Sequence, residues 1–169
     1  MSFYDLVVSR YSVRKFSDRP IEPEKLTSVM ETGRMAPTAR NSQSHRFMIL
    51  SAAEDIAKVD ECTPCRYGAP TVILICYDST SCYIREYDDA SSGVVDASIV
   101  TTHLMLAAEE VGLGTCWVMR FDPAKTTEVF KLPENIVPVA FLPIGYPADD
   151  CGPSERHSVR TALEDLMLK

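Results

Sequence analysis

Residues Pro70-Thr71-Val72-Ile73-Leu74-Ile75-Cys76-Tyr77 form an apolar run that is rich in β-branched side chains. A strand with one face in solvent alternates apolar and polar residues, so this run predicts a strand covered on both faces. Helices must then pack on both sides of its sheet. The segment from Val94 to Val111 is long, compatible with a helix and apolar around most of its circumference. It predicts a central buried helix that ends at Gly112.

Helices and strands alternate along the rest of the chain. Apolar spacing and capping residues predict helices at Phe3 to Ser9, Glu22 to about Gly33, Ala53 to Asp60 and Asp122 to about Lys131. Short β-rich runs predict further strands at Phe47 to Leu50, Thr115 to Met119 and Val137 to Tyr146. No linker or internal repeat divides the chain, so we expect one α/β or α+β domain over residues 1–169.

Two segments lie outside this pattern. The acidic stretch Tyr83 to Ser92 predicts a solvated surface excursion. Residues 147–169 are weakly patterned, but Leu163, Leu166 and Met167 form a short apolar stripe among charges. This stripe could cover the chain's own core or, in a dimer, the core of a neighbour.

Composition excludes several classes of protein. The chain has 169 residues, 46% hydrophobic and 24% charged, with 17 basic and 24 acidic side chains and a net charge of -7. That sign is wrong for a nucleic-acid binder. The first residues lack a secretory-signal pattern and no apolar run reaches about 20 residues, so we expect a cytoplasmic protein without membrane spans. The six cysteines are scattered apart from Cys62 and Cys65, so we predict free thiols and no metal site.

The densest cationic segment is Arg10-Tyr11-Ser12-Val13-Arg14-Lys15-Phe16. In an extended chain, Arg10, Ser12 and Arg14 point to the same side. Guanidinium forks and a hydroxyl are suited to phosphate, although the same residues could simply form a solvated edge.

The loop from Pro37 to Gln43 offers small hydroxyl and amide groups of the kind that surround polar heterocycles, but such residues also form ordinary turns. Gly112-Leu113-Gly114 is not a dinucleotide fingerprint, because it follows a helix and precedes a strand. No GxSxG motif or recognisable Ser, His and Asp set supports a catalytic triad.

Taken in order, three motifs make the sequence resemble the FMN-dependent nitroreductase family. They are Arg10 to Phe16, Ala36 to Gln43, and Gly112-Leu113-Gly114-Thr115-Cys116-Trp117. The resemblance spans nearly the whole chain and includes Asp96 in the central helix. It implies an α+β sandwich with a mixed or antiparallel sheet, and a homodimer with two FMN sites, each built from both chains. Residues 147–169 would be the tail that reaches the partner subunit.

The resemblance also implies site residues. Arg10 and Ser12, with Tyr11 between them, would hold the phosphate and ribityl end of FMN, and Arg14 would lie at the N1 and C2 carbonyl edge. Arg160 matches a phosphate-binding arginine near the C-terminus, or it is a surface charge. The remaining cofactor contacts would come from Pro37, Thr38, Ala39, Asn41, Gln43, Cys116, Trp117, Val118, Met119 and Arg120, with Thr38 at the partner's phosphate and a backbone N–H of 117–120 near N5.

Some residues depart from the family pattern. Ser44 replaces a usual proline, His45-Arg46 replaces a pair containing tryptophan, and Ser158 stands where many relatives have lysine. The last change predicts weaker phosphate binding. The chain also lacks the long helical insertion that covers the active site in larger members. One thiol of Cys62 and Cys65 is expected to border the flavin; a dithiol redox role is the alternative to packing.

The resemblance implies an FMN-dependent NAD(P)H:acceptor oxidoreductase. Hydride would pass to flavin N5 and then, in a ping-pong cycle, to a nitroaromatic, quinone or similar acceptor. No side chain is predicted to act as acid or base. The alternatives are a flavin carrier or redox sensor that does not turn over, and a relative with flavin-destructase or dehalogenase-like chemistry.

Overall fold

A computed structural model describes residues 2–168. The helices of this part of the chain are α1 (Phe3–Ser9), α2 (Pro23–Arg34), α3 (Ala53–Cys62), α4 (Gly93–Glu110) and α5 (Pro123–Phe130). The strands are β1 (His45–Leu50), β2 (Thr71–Asp78), β3 (Gly114–Thr115) and β4 (Ile136–Gly145). Short 3₁₀ turns lie at Ala39–Asn41, Glu155–Ser158 and Leu163–Leu166. The five predicted helices are confirmed, each to within two residues at either end.

The four strands form one antiparallel sheet in the order β1-β2-β4-β3. With its helices, this sheet gives the predicted α+β fold. Successive β2 side chains point to opposite faces. Ile73 and Ile75 pack with Val29 of α2 and Leu104 of α4. Leu74 and its neighbours pack on the other face, against α3 and α5. The uninterrupted apolar run therefore does lie between two helical layers, which confirms its prediction.

Helix α4 packs closely on α2 at Gly33. Gly33 of α2 is buried, and a Cβ built there would lie 2.4 Å from Leu104 Cδ2. We predicted that Gly33 would end the helix, but the helix continues to Arg34. The glycine instead permits close packing between the two helices, which fixes the position of α4 against the sheet.

The strand predicted over Thr115 to Met119 is wrong in extent. β3 covers only Gly114–Thr115, followed by an isolated pairing of Val118 with Phe141. The Cys116 N–H donates to the Pro143 carbonyl at 3.2 Å, but Pro143 has no N–H to return the bond. The proline thus interrupts the ladder and leaves residues 116–120 as a separate extended segment.

Among residues 2–168, no helix is both long enough and apolar enough to cross a membrane.

Candidate functional site

A recess of about 230 Å³ opens beside the extended segment that follows α1. Its wall carries basic and hydroxyl side chains, namely Arg10, Tyr11, Ser12, Arg14, Ser154, Arg156, His157 and Arg160. Val13 is only 1% exposed, since it points away from the recess into the core. Its N–H donates to the Thr115 carbonyl at 2.9 Å, which holds the segment extended beside β3. The predicted grouping of Arg10, Ser12 and Arg14 is therefore present.

The four arginines of this recess have no carboxylate partner among the residues that the structure describes. Every ion pair within residues 2–168 uses other cations. Arg14 Nη1 donates instead to the Ser12 carbonyl at 3.3 Å, and Arg160 Nη1 to the Val159 carbonyl at 2.8 Å. Unneutralised guanidinium groups repel one another, and a multivalent oxyanion relieves that repulsion while it accepts their hydrogen bonds. This recess has the chemistry of a phosphate site.

Sequence reasoning missed three residues of the recess, Ser154, Arg156 and His157. The predicted Arg160 is present although it lies 150 residues from Arg10. His157 Nε2 donates to the Val8 carbonyl at 3.1 Å, which attaches this turn to the end of α1. Ser158 does not line the recess, whereas Arg156 does. The available signal was the second arginine two residues before the expected lysine position.

The segment 116–120 alternates between the core and solvent. Cys116 and Val118 are each 3% exposed and point into the core, so only their backbone could contact a ligand. Met119 is 69% exposed, and the Trp117 indole Nε1 is buried without an acceptor among the described residues. A buried donor without a partner is costly, so this indole nitrogen is an uncompensated polar group beside the segment. The Arg120 carbonyl accepts a hydrogen bond from Thr63 Oγ1 at 2.6 Å.

Hydrogen bonds attach the turn that carries Cys62 and Cys65 to this same part of the chain. The Cys65 N–H donates to Thr63 Oγ1 at 3.1 Å, and the Asp122 N–H donates to the Cys62 carbonyl at 3.0 Å. Cys62 is buried at the C-terminal end of α3, and burial raises the pKa of its thiol. Both features oppose thiolate chemistry. Cys65 is half-buried and therefore is the thiol of the two that could border a ligand.

The loop of residues 37–43 has a constrained backbone. Arg40, Asn41 and Gln43 have φ values of 52°, 55° and 48°, in the left-handed region that favours glycine. Thr38 Oγ1 accepts from the Gln43 N–H at 3.1 Å, and the Ala39 N–H donates to Asp96 Oδ1 at 2.9 Å. Such strain persists only where surrounding contacts fix the backbone, and it is concentrated at functional sites.

The loop and the recess lie at opposite corners of the sheet. The loop leads into β1, where His45 pairs with Tyr77, and Tyr77 pairs with Val137 in β4. The recess segment adjoins Thr115 in β3, which pairs with Ile144. The strand spacing separates the edge strands by about 14 Å, and the seven residues from Val137 to Ile144 add about 24 Å along β4. The structure therefore does not bring residues 37–43 to the recess of the same chain.

Comparison with known proteins identifies the relatives of this fold. The sequence matches the family model described as Nitroreductase family over residues 7–65 and 64–146. The chain is 37% identical to a nitroreductase family protein from Clostridium difficile 630, whose crystal structure superimposes with a TM-score of 0.94 and covers 99% of this chain and 98% of that one. A protein from Archaeoglobus fulgidus, named as a candidate NADH dehydrogenase/NAD(P)H nitroreductase, is 31% identical over 86% of this chain and 85% of its own.

Two further matches carry cofactor names. The FMN reductase (NAD(P)H) of Bacillus subtilis is 30% identical over 82% of this chain, which spans 63% of that relative's length. A nitroreductase-type protein from Exiguobacterium sibiricum, solved in complex with FMN, superimposes with a TM-score of 0.85 at 22% identity and covers 100% of this chain and 97% of that one. At that identity the second likeness shows the shared fold alone.

Proposed function

The chain belongs to the nitroreductase family, and we propose that it passes electrons from NAD(P)H through FMN to a nitroaromatic, quinone or similar acceptor. An FMN-dependent NAD(P)H oxidoreductase is the activity that the names of its relatives support. The acceptor class and the ping-pong order, in which donor and acceptor use the same site in turn, are the parts that require experiment.

The observation that carries this proposal is the recess with four arginines that have no carboxylate partner within residues 2–168, in a chain of net charge -7. A flavin mononucleotide ends in a phosphate, and Arg10, Ser12 and Arg160 offer guanidinium and hydroxyl donors to such a group. The residues present therefore fit FMN.

Each group of residues has a distinct role in the proposed mechanism. Arg10, Ser12 and Arg160 would hold the phosphate of bound FMN, and Arg14 would supply positive charge that stabilises the negative charge the flavin gains on reduction. When bound, FMN supplies a ring nitrogen that accepts hydride and releases it to the second substrate. The protein binds, orients and tunes the cofactor, and no side chain need move a proton.

We further propose that each FMN site is built from two copies of the chain. The separation of the loop from the recess supports this arrangement, because the two could contact the same FMN only if they came from different copies. Exposed apolar surface supports it as well. Helix α1 has no buried residue and exposes Phe3 by 72% and Tyr4 by 75%, while in the tail Leu163 is 72% exposed. A second copy would cover these groups. In this view residues 1–169 form one domain, with residues 147–169 as the tail that reaches the partner.

The test begins with FMN binding to purified protein, followed by visible absorbance and equilibrium dialysis. Anaerobic stopped-flow reduction with NADH and with NADPH then measures the first half-reaction, and reoxidation by a nitroaromatic or a quinone measures the second. We expect bound flavin and rapid reduction. Steady-state rates measured at varied donor and acceptor concentrations should give parallel double-reciprocal plots. A protein that takes up no FMN would overturn the proposal. One that binds FMN without oxidising NAD(P)H would establish a flavin carrier or sensor instead.

A further inference from the structure

We propose that Asp96 is a positioning residue that holds the loop of residues 37–43 in the conformation that contacts FMN. This inference rests on the proposed function, since that proposal places the loop against the cofactor. Asp96 lies in the first turn of α4 and is 1% exposed, yet no ion pair accounts for its burial within the described residues. A buried carboxylate requires compensating donors.

The donors come from the loop and from the end of the surface excursion. Asp96 Oδ1 accepts the Ala39 N–H at 2.9 Å, while Oδ2 accepts Ser42 Oγ at 3.3 Å and Ser92 Oγ at 2.7 Å. Two of these three bonds therefore reach the loop, one near its start and one near its end. They enclose Arg40 and Asn41, two of the three loop residues with positive φ.

The other hydrogen bonds of the loop join residues at most five positions apart in the chain. Its own backbone bonds join Asn41 N–H to the Thr38 carbonyl at 2.9 Å and Ser42 N–H to the Ala39 carbonyl at 3.0 Å. Such turns form readily in short peptides, but they do not offset the steric cost of left-handed residues other than glycine. The Asp96 bonds supply the tertiary restraint that this backbone requires.

A second set of contacts joins the same loop to the excursion. The guanidinium of Arg40 stacks over the Tyr83 ring at 4.6 Å. The Tyr83 N–H donates to Ser92 Oγ at 3.1 Å, and Ser92 Oγ in turn donates to Asp96. The carboxylate is thus the common acceptor of a closed set of contacts that runs from Ala39 through Arg40, Tyr83 and Ser92. A carboxylate suits this position because its charge strengthens all three bonds; an amide would lose that charge and its N–H₂ group would require both hydroxyls to turn from donors into acceptors.

The test compares Asp96→Asn with Thr101→Val, a matched control in the same helix. Thr101 is fully buried, and its hydroxyl donates only to the Ala97 carbonyl of its own helix. Hydrogen exchange of residues 38–44 in the FMN-free protein measures the loop directly, and equilibrium dialysis measures the dissociation constant for FMN. We expect Asp96→Asn to accelerate loop exchange and to raise the FMN dissociation constant at least tenfold, with neither change in Thr101→Val.

Two results would overturn the inference. One is an FMN dissociation constant for Asp96→Asn within twofold of the wild type. The other is weakened binding with unchanged loop exchange. If Asp96→Asn does not fold, Ser42→Ala removes one loop donor and should weaken FMN binding about threefold; unchanged binding then refutes the role of Asp96. A wild-type protein that binds no FMN would refute the proposed function instead, while exchange would still show whether Asp96 restrains the loop.

Discussion

The two ends of α4 hold the two halves of the candidate site in different ways. At the end near Gly112, the recess carries arginines for which the described part of the chain offers no carboxylate partner. At the Gly93 end, the loop of residues 37–43 has its donors paired with a buried carboxylate and its backbone strained. Unpaired charge provides attraction for a ligand, and a restrained backbone reduces the entropy lost on binding. FMN affinity should therefore depend on charge at one end and on preorganisation at the other.

The largest effect should follow from loss of a recess arginine. Arg10→Met keeps much of the side-chain volume but removes charge-assisted hydrogen bonds, each worth about 1.5–3 kcal/mol. We expect the FMN dissociation constant to rise about 10- to 100-fold with little change in melting temperature. Arg34→Met is the control, because Arg34 pairs with Glu31 on the exposed face of α2. Equal FMN binding by wild type and Arg10→Met would show that the recess is not the phosphate site.

The separation of the two halves can be tested by mixing subunits. Arg10→Met disables the recess and Asn41→Ala disables the loop, and each homodimer should have low activity. If each site joins the recess of one chain to the loop of another, unfolding and refolding an equal mixture should restore about one quarter of the sites, since half of the dimers are mixed and each has one intact site.

Size-exclusion chromatography of differently tagged chains confirms that mixed dimers form. Mixed dimers that stay inactive would show that both halves of a site come from one chain. A monomeric wild-type protein that turns over at full rate would contradict the two-chain site in another way.

Much of the fold could be predicted because its signals are local. The run at residues 70–77 and the apolar segment at 94–111 each identify a buried element without reference to the rest of the chain. The extent of β3 could not be predicted, because it depends on which residue lies opposite Cys116. That residue is Pro143, and the pairing exists only in the folded sheet.

The candidate site likewise combines residues that local sequence signals predict with residues that only folding brings together. Alternation grouped Arg10, Ser12 and Arg14 correctly, since their spacing along an extended segment is a local property. Arg156 lies in a weakly patterned tail, and only folding brings it beside Arg10. The role of Asp96 was also hidden, because its partners are 57 and 54 residues away and a lone acidic residue in an apolar helix carries no sign of what it accepts.

Salt should weaken FMN binding without loosening the loop. Raising NaCl from 0.1 to 1 M shortens the screening length from about 10 to 3 Å, which affects exposed charges far more than buried hydrogen bonds. We expect a several-fold increase in the FMN dissociation constant, smaller in Arg10→Met, and unchanged hydrogen exchange at residues 38–44. If loop exchange accelerates with salt while FMN binding does not change, the assignment of charge to one end and preorganisation to the other is reversed.

The smallest expected effect is acid destabilisation at the end of the sheet that adjoins the loop of residues 37–43. Asp78 accepts bonds from Thr80 Oγ1 at 2.6 Å and Asn135 Nδ2 at 2.9 Å, and these bonds lower the pKa of its carboxyl from 3.8 to about 2. The Asp78 N–H also holds the Ser44 carbonyl, directly after the loop, at 2.8 Å. Because the folded pKa lies below the unfolded one, this stabilisation is complete above about pH 5 and is lost as the pH falls through 2.

Asp78→Asn should therefore have a lower melting temperature than the wild type at pH 7, and the difference should shrink between pH 5 and pH 2. Thr80→Val keeps the Asp78 carboxylate but removes the hydroxyl that donates to it. The pKa of Asp78 should therefore rise, and its stabilisation should begin to be lost at a higher pH than in the wild type. Thermal melts across this range measure both. Protection factors at residues 38–44, which correct for the pH dependence of intrinsic amide exchange, should fall over the same range. A melting-temperature difference that does not vary with pH would show that Asp78 supports the loop end by packing and not by its charge.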